Sequence, residues 1–221
     1  MGVGLVLTIQ EVNQVLDQQL PGARVVPQTL PGTGLKLFLL DPDFDDRDLP
    51  LEVRESISDN PPYWIFCWAS GRALANEILT GRIDVRNRKV LDFGAGSGVV
   101  ALAAKLSGAR HVTTCDIDSL GNQLIALHAR LNEVELDIRS CLSDCDRDYD
   151  LVFAADVLYE PKNLVWLDEL LAYGAQVIVA DSRQKQLNHP VYEKIETVTT
   201  TSFPDFAEAK TFNEVNFYRT R

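Results

Sequence analysis

The feature that most constrains this chain is a change in its hydrophobic pattern near residue 89. From there Lys89–Phe93, His111–Asp116, Asp137–Leu142, Leu151–Asp156 and Ala175–Asp181 read as short buried strands, with Val99–Leu106, Leu120–Leu131 and Leu164–Leu171 as the helices between them. Strands that are apolar along their length must be covered on both faces, and a helical crossover is what parallel neighbours require. The expectation is an α/β fold built on a mostly parallel sheet. The tail carries two Thr-, Val-, Phe- and Tyr-rich stretches without helical period, Glu193–Thr201 and Thr211–Arg219, and these predict two antiparallel strands at one edge.

The region before this pattern reads differently. Thr8-Ile9-Gln10-Glu11 fits a capping box, and Ile9, Val12, Leu16 and Leu20 follow at helical spacing until Pro21-Gly22 stops the run. Ala23–Pro27 and Leu35–Leu40 flank Leu30-Pro31-Gly32-Thr33-Gly34, which predicts a hairpin, and the acidic loop Asp41–Asp48 after it reads as a solvated charge run. Residues 1–60 are thus expected to form a helix-and-hairpin extension on a domain spanning 61–221, the whole folding as one unit. That domain opens on an aromatic segment, Pro-Pro-Tyr-Trp-Ile-Phe-Cys-Trp at 61–68, followed by a helix with Leu74, Ile78 and Leu79 that ends at Gly81.

Charge excludes some classes. With 21 Lys+Arg against 32 Asp+Glu the net charge is −11, which disfavours a nucleic-acid partner, because such proteins present a basic face to the phosphates. No run approaches the ~18 apolar residues of a membrane span, and Met1–Leu7 has neither a basic leader nor a small-residue cleavage site. Val6 argues against myristoylation at Gly2. No membrane partner and a cytoplasmic location are expected. Cys67, Cys115, Cys141 and Cys145 read as free thiols, and Cys141 with Cys145 and Asp144 lacks the second ligand pair of a structural metal site, so no metal is expected.

The residues that carry chemistry begin at Val90-Leu91-Asp92-Phe93-Gly94-Ala95-Gly96-Ser97-Gly98, a buried strand running into alternating glycines and then a helix. Glycines there let the backbone approach a ligand at the strand's carboxyl end. The spacing is G-x-G-x-G, with Val99 where a dinucleotide fingerprint has its third glycine. Asp116 lies 22 residues after Gly94, at the end of the next strand, where a carboxylate can bind both hydroxyls of a ribose.

Asp92-x-Gly94-x-Gly96-x-Gly98 followed by Asp116 resembles the S-adenosylmethionine site of the seven-stranded, class I methyltransferases, which implies a Rossmann-like sheet and that cofactor. The fourth strand ends Asp156-Val157-Leu158-Tyr159, and D-x-x-Y there resembles the hallmark of the class I protein lysine methyltransferases. Tyr63-Trp64-x-Phe66-x-Trp68 is similar to the segment before the glycine motif in the group that includes the electron-transfer flavoprotein β-subunit lysine methyltransferase and its bacterial relatives. The resemblance covers roughly residues 60–185; it departs after the fifth strand, where the family often has Asp-Pro-Gly and this chain has Asp181-Ser182-Arg183. Asn60-Pro61-Pro62-Tyr63 spells an amino-methyltransferase signature at the wrong place in the order, and it reads as a stiff approach to the next helix.

The resemblance implies roles. Gly94 and Gly96 pass close to the methionine part of the cofactor, Asp92 helps hold its amino group, Asp116 binds the ribose, Trp68 packs on the cofactor, and Leu142 and Ser143 border the adenine. Asp156 can accept a hydrogen bond from the acceptor amine and Tyr159 can lie beside its nitrogen, with desolvation next to the sulfonium lowering the lysine pKa in place of an enzymic base. The implied activity is N-methylation of a lysine in a protein substrate. A small-molecule amine or pyridine acceptor and a non-catalytic cofactor-binding module stay open as alternatives. A nicotinamide oxidoreductase is disfavoured by Val99 and by the absence of a Tyr-x-x-x-Lys constellation.

Overall fold

The computed structural model describes residues 6–45, 47, 49–50, 52–53, 61–205 and 208–221. Three earlier readings fall partly outside this range: the apolar start at residues 1–5, Asp46 and Asp48 of the acidic loop, and Asn60 of the N-P-P-Y sequence.

Helix α1 (Ile9–Gln19) starts as its sequence dictates. The Glu11 amide donates to Thr8 Oγ1 while the Glu11 carboxylate accepts from the Thr8 amide at 2.7 Å, so two otherwise orphaned donors are satisfied reciprocally. Strands β1 (Val25–Thr29) and β2 (Lys36–Leu40) then pair antiparallel as a separate two-stranded sheet, with Val25 opposite Leu40. Asn13 of α1 clamps the hairpin by exchanging two hydrogen bonds with the Val25 backbone. Pro61 and Pro62 lead into a single 3-10 turn, Tyr63–Ile65, and α2 (Ala69–Leu79) follows.

The main body is a sheet of β3 (Lys89–Phe93), β4 (His111–Cys115), β5 (Asp137–Arg139), β6 (Tyr149–Ala155), β7 (Gly174–Asp181), β8 (Tyr192–Thr199) and β9 (Glu214–Thr220) in the order β5-β4-β3-β6-β7-β9-β8. All pairs up to β7 are parallel, and β9 is antiparallel to both β7 and β8. Alternation along the strands shows why both faces need cover. Val90, Leu151, Phe153, Ile178 and Ala180 join one core with α2, α3 (Val99–Leu106) and hairpin residues Leu35, Leu37 and Leu39, whereas Leu91, Phe93, Val152, Ala154, Val177 and Val179 join another with Leu167, Leu170 and Tyr173. A third cluster packs Val12 and Leu16 of α1 against Trp64 and against Leu120 and Leu124 of α4 (Ser119–Leu131), at about 1.5–3 kcal/mol per fully buried side chain.

His128, on α4, bonds the hairpin to the glycine turn. The Phe38 amide donates to Nε2 at 2.8 Å, which leaves Nδ1 as the protonated nitrogen, 2.9 Å from the Ser97 carbonyl. Burial holds this imidazole neutral, with its pKa lowered to about 4.

Two expected elements change. The helix expected over Leu164–Leu171 is broken into a 3-10 turn at Pro161–Val165, a single α-turn α5 (Trp166–Glu169) and another 3-10 turn at Leu170–Ala172. Its buried residues, Leu167 and Leu170, are three apart, whereas Leu164 and Val165 are exposed, so the packing selects a three-residue period. Strand β5 stops at Arg139 instead of reaching Leu142, because it is an edge strand whose ladder to β4 ends opposite Cys115. The chain reverses direction sideways from β3, going through α3 to β4 on one side while β6 lies on the other. The ends of β3 and β6 therefore flank a topological switch point, where ligands of open α/β sheets bind.

Candidate functional site

The glycine turn after β3 takes a left-handed backbone at alternate positions, with φ of +66° at Gly94 and +51° at Gly96. The two glycines serve different ends. A Cβ on Gly94 would stand 2.5 Å from Val157 Cγ1, so this position must lack a side chain for the loop after β6 to close over it. The corresponding side of Gly96 is open for 4 Å, leaving a cradle that a side chain would fill.

Two carboxylates shape the turn. Asp92, 1% exposed at the end of β3, accepts the Ala101 amide at 3.0 Å and so caps the third residue of α3, whose N-cap, Gly98, has no side chain to do so. Burial pushes Asp92 up to about 7 against the pull of that amide, and the nearby Asp116 charge adds to the rise. Asp116 accepts from the Gly96 amide at 2.7 Å and from the Asp118 amide at 2.9 Å, which fixes a carboxylate beside the open cradle. Its pKa is also raised by burial.

The opposite wall comes from the start of α2. Trp68 is its N-cap residue and donates Nε1–H to the Tyr63 carbonyl at 2.8 Å. Trp68, Gly71, Asp92, Gly94, Gly96 and Ala155 all line one narrow cleft of about 30 Å³. A larger hollow of about 220 Å³, between the hairpin turn at Pro31, α2 at Arg72 and the end of β8 at Thr199, holds none of the expected site residues. The cleft is the chemically relevant one, since the glycine turn and the buried acid converge there.

Asp156 ends β6 with a left-handed φ of +52°. Its carboxylate, partly buried, is already engaged by other elements of the fold, most heavily through Oδ1. Oδ1 accepts from Ser70 Oγ at 2.7 Å, Ser182 Oγ at 2.7 Å and the Ser182 amide at 2.9 Å, and Oδ2 accepts the Ser70 amide at 3.0 Å. Asp156 thus ties the start of α2, the end of β6 and the end of β7 into one knot. Tyr159 stands three residues on with its ring 5.1 Å from that of Tyr63.

Of the residues expected from sequence, Trp68, Asp92, Gly94 and Gly96 are brought to one cleft, and Asp116 is hydrogen-bonded to its floor. Leu142 and Ser143 are not in its walls. Leu142 packs toward the Leu91–Phe93 core, and Ser143 is exposed with its hydroxyl 3.0 Å from Cys141 Sγ. Sequence reasoning missed Ser70, Gly71 and Ser182. It also missed Ile117, an apolar side chain 91% exposed directly after Asp116. Asp181, fully buried, has its Oδ1 on the Arg183 and Gln184 amides, and its pKa is pushed up to about 6 by burial and by Asp156.

Comparison with known proteins places this arrangement. A family model described as ribosomal protein L11 methyltransferase (PrmA) matches residues 74–186, just over half of the chain. The chain belongs to that family. Curated relatives of this PrmA-family chain include the electron transfer flavoprotein beta subunit lysine methyltransferases of Rattus norvegicus, 29% identical over 153 residues, and Homo sapiens, 32% identical over 151 residues. These matches cover 65% and 64% of this chain, and 60% and 57% of the relatives, so the chain spans less than two thirds of their length. Among solved structures, the ribosomal protein L11 methylase of Lactobacillus delbrueckii subsp. bulgaricus superposes with a TM-score of 0.53 at 21% identity, covering 69% of this chain and 78% of that one. That likeness establishes the Rossmann-like methyltransferase fold for this PrmA-family chain. No helix among its described residues is long and apolar enough to cross a membrane.

Proposed function

We propose that this chain binds S-adenosylmethionine in the cleft between the glycine turn and Trp68 and methylates the side-chain amine of a lysine in a protein substrate. The observation that carries the reading is the Asp116 carboxylate held by the Gly96 amide at 2.7 Å beside a left-handed, side-chain-free cradle. The donor set fits the cofactor: a carboxylate pair for the hydroxyls and amino group, an open glycine for close backbone approach, and an indole and the exposed Ile117 for flat apolar surface. When bound, the cofactor supplies an electrophilic methyl group on a sulfonium. The names of the curated relatives support a protein lysine as acceptor.

The chain's own residues supply position more than acid–base chemistry. Gly96 lets the backbone approach the ligand, Gly94 lets the loop after β6 close over the turn, and Asp116 takes the ribose. Asp156, committed to Ser70 and Ser182, fixes the loop that carries Tyr159. The Tyr159 phenol has its pKa raised by burial and by Glu160, so it stays neutral at neutral pH and orients the amine through its hydroxyl or ring. A lysine desolvated there beside a cation loses its proton to solvent without a dedicated base. A protein-borne acceptor is favoured over a small molecule because Tyr63 and Tyr159, at 39% and 46% exposed, leave the acceptor side open instead of enclosed. We also propose a cytoplasmic location, which the free state of all four cysteines supports.

The test is isothermal titration with S-adenosylmethionine and, separately, NAD, on the wild type and Asp116→Ala. Micromolar binding of the former, lost in the variant, supports the reading, and a tritiated methyl donor with purified electron transfer flavoprotein then probes the acceptor. Binding of NAD alone, or no binding by a folded protein, refutes it.

A further inference from the structure

Two large aromatic rings meet in the open at the mouth of the cleft, although burying either would contribute about 1.5–3 kcal/mol. They are Tyr63, from the turn before α2, and Tyr159, from the loop after β6, with centroids 5.1 Å apart at 46°. Tyr63 also meets Trp68 edge-on at 5.7 Å, and Trp68 meets Phe66 at 5.4 Å, so the rings form a continuous path from the cleft wall outward. The Tyr63 carbonyl accepts the Trp68 indole N–H, which fixes the backbone of one to the side chain of the other.

Among the described residues, several charged groups beside this patch are already paired. The Arg183 guanidinium lies 5.7 Å from the Trp68 centroid and 3.7 Å from that of Phe212, and it is ion-paired to Glu208 at 2.5 Å. One face of the aromatic path therefore already holds a cation. Glu160, beside Tyr159, is paired with Lys162 at 2.6 Å, and Asp116 is engaged by two backbone amides. An incoming cation thus meets ring faces at this mouth, and those faces carry the negative end of the ring quadrupole.

From this we infer that Tyr63 is a specificity-determining residue for the acceptor: with Tyr159 it recognises an aliphatic ammonium group by its charge through the ring face. The inference rests on the methyltransferase reading above and extends it to a residue on the other side of the mouth from the D-x-x-Y loop. Both phenols are held neutral, their pKa values raised by burial, so the rings and not a phenolate do the recognising.

The experiment uses a cation and its neutral isostere as probes. Choline and 3,3-dimethylbutan-1-ol are titrated against the full chain with ring-labelled tyrosine, followed by NMR, for the wild type, Tyr63→Phe, Tyr63→Leu and a chain with 3,5-difluorophenylalanine, which cannot ionise, at position 63. Exposed cation–π contacts predict that choline binds about two- to fivefold more tightly than the alcohol. The preference persists in Tyr63→Phe, falls with fluorination and disappears in Tyr63→Leu. Equal affinity in the wild type, no binding of choline, or a preference that survives both Tyr63→Leu and fluorination overturns the inference. If Tyr63→Leu fails to fold, the fluorinated chain decides. The S-adenosylmethionine titration is run on the same samples: its failure removes the methyltransferase reading, whereas cofactor binding without charge preference removes only the role of Tyr63.

Discussion

Replacing Asp92 with asparagine tests the electrostatics of the glycine turn directly. In the folded chain the Asp92 carboxyl titrates at about 7, against an ordinary value of 3.8. Between those values the folded state holds a proton that the unfolded state has released, so stability falls as pH rises through this window and is lowest above the folded pKa. The difference of about three units, at 1.36 kcal/mol each, is a cost of at most about 4 kcal/mol at pH 8 that is absent below pH 4. Asparagine keeps an oxygen to accept the Ala101 amide but cannot ionise. Its buried NH₂ loses a solvation partner at about 1–2 kcal/mol, independent of pH. Urea unfolding followed by tryptophan fluorescence should therefore show Asp92→Asn less stable than wild type by about 1–2 kcal/mol at pH 4 and more stable by about 2–3 kcal/mol at pH 8. His128 and Asp181 titrate in both proteins and cancel in the difference. A difference that stays constant from pH 4 to pH 8 would refute the reasoning, whatever its sign.

The two site glycines should fail in different ways. Gly94→Ala forces a Cβ onto Val157 and should lower stability by about 2 kcal/mol or more, whereas Gly96→Ala should cost about 1–2 kcal/mol for its left-handed backbone yet abolish S-adenosylmethionine binding by calorimetry. His128→Phe orphans the Phe38 amide and the Ser97 carbonyl and should cost about 2–4 kcal/mol in urea unfolding. Because the folded His128 pKa lies near 4, below its usual 6.5, that residue makes the wild type lose stability as pH falls from 6.5 to 4, and the variant should lack this contribution. Ser70→Ala and Ser182→Ala each remove one hydroxyl from Asp156. Each should raise KM for a protein acceptor severalfold while leaving the cofactor Kd unchanged; a loss confined to cofactor affinity would count against the knot described here.

Much of this architecture is written locally. The mainly apolar runs at Lys89–Phe93 and Leu151–Asp156, and the helical runs between such stretches, pointed to a two-sided parallel sheet, and the capping box at Thr8 placed the start of α1. Glycines at 94 and 96 with an acid at 116 marked the cleft after β3, since a turn free of side chains at a strand's carboxyl end is where an open α/β sheet admits a ligand. Side-chain partnerships across the fold left no such trace. Asp156 reads from sequence as a free carboxylate, and only packing brings Ser70, 86 positions before it, and Ser182, 26 after it, within hydrogen-bond reach. Leu142 lies beyond the early end of β5, partly buried against the cluster of Leu91 and Phe93, a position that depends on where the β4–β5 ladder stops. Tyr63 and Tyr159 belong to different segments whose meeting depends on how α2 seats against the ends of β6 and β7. Hydrophobic period and turn chemistry act between neighbours in the chain and so determined the elements and the glycine cradle. The orientation of Asp156 and the aromatic mouth depend on contacts between elements, and those the tertiary structure alone decided.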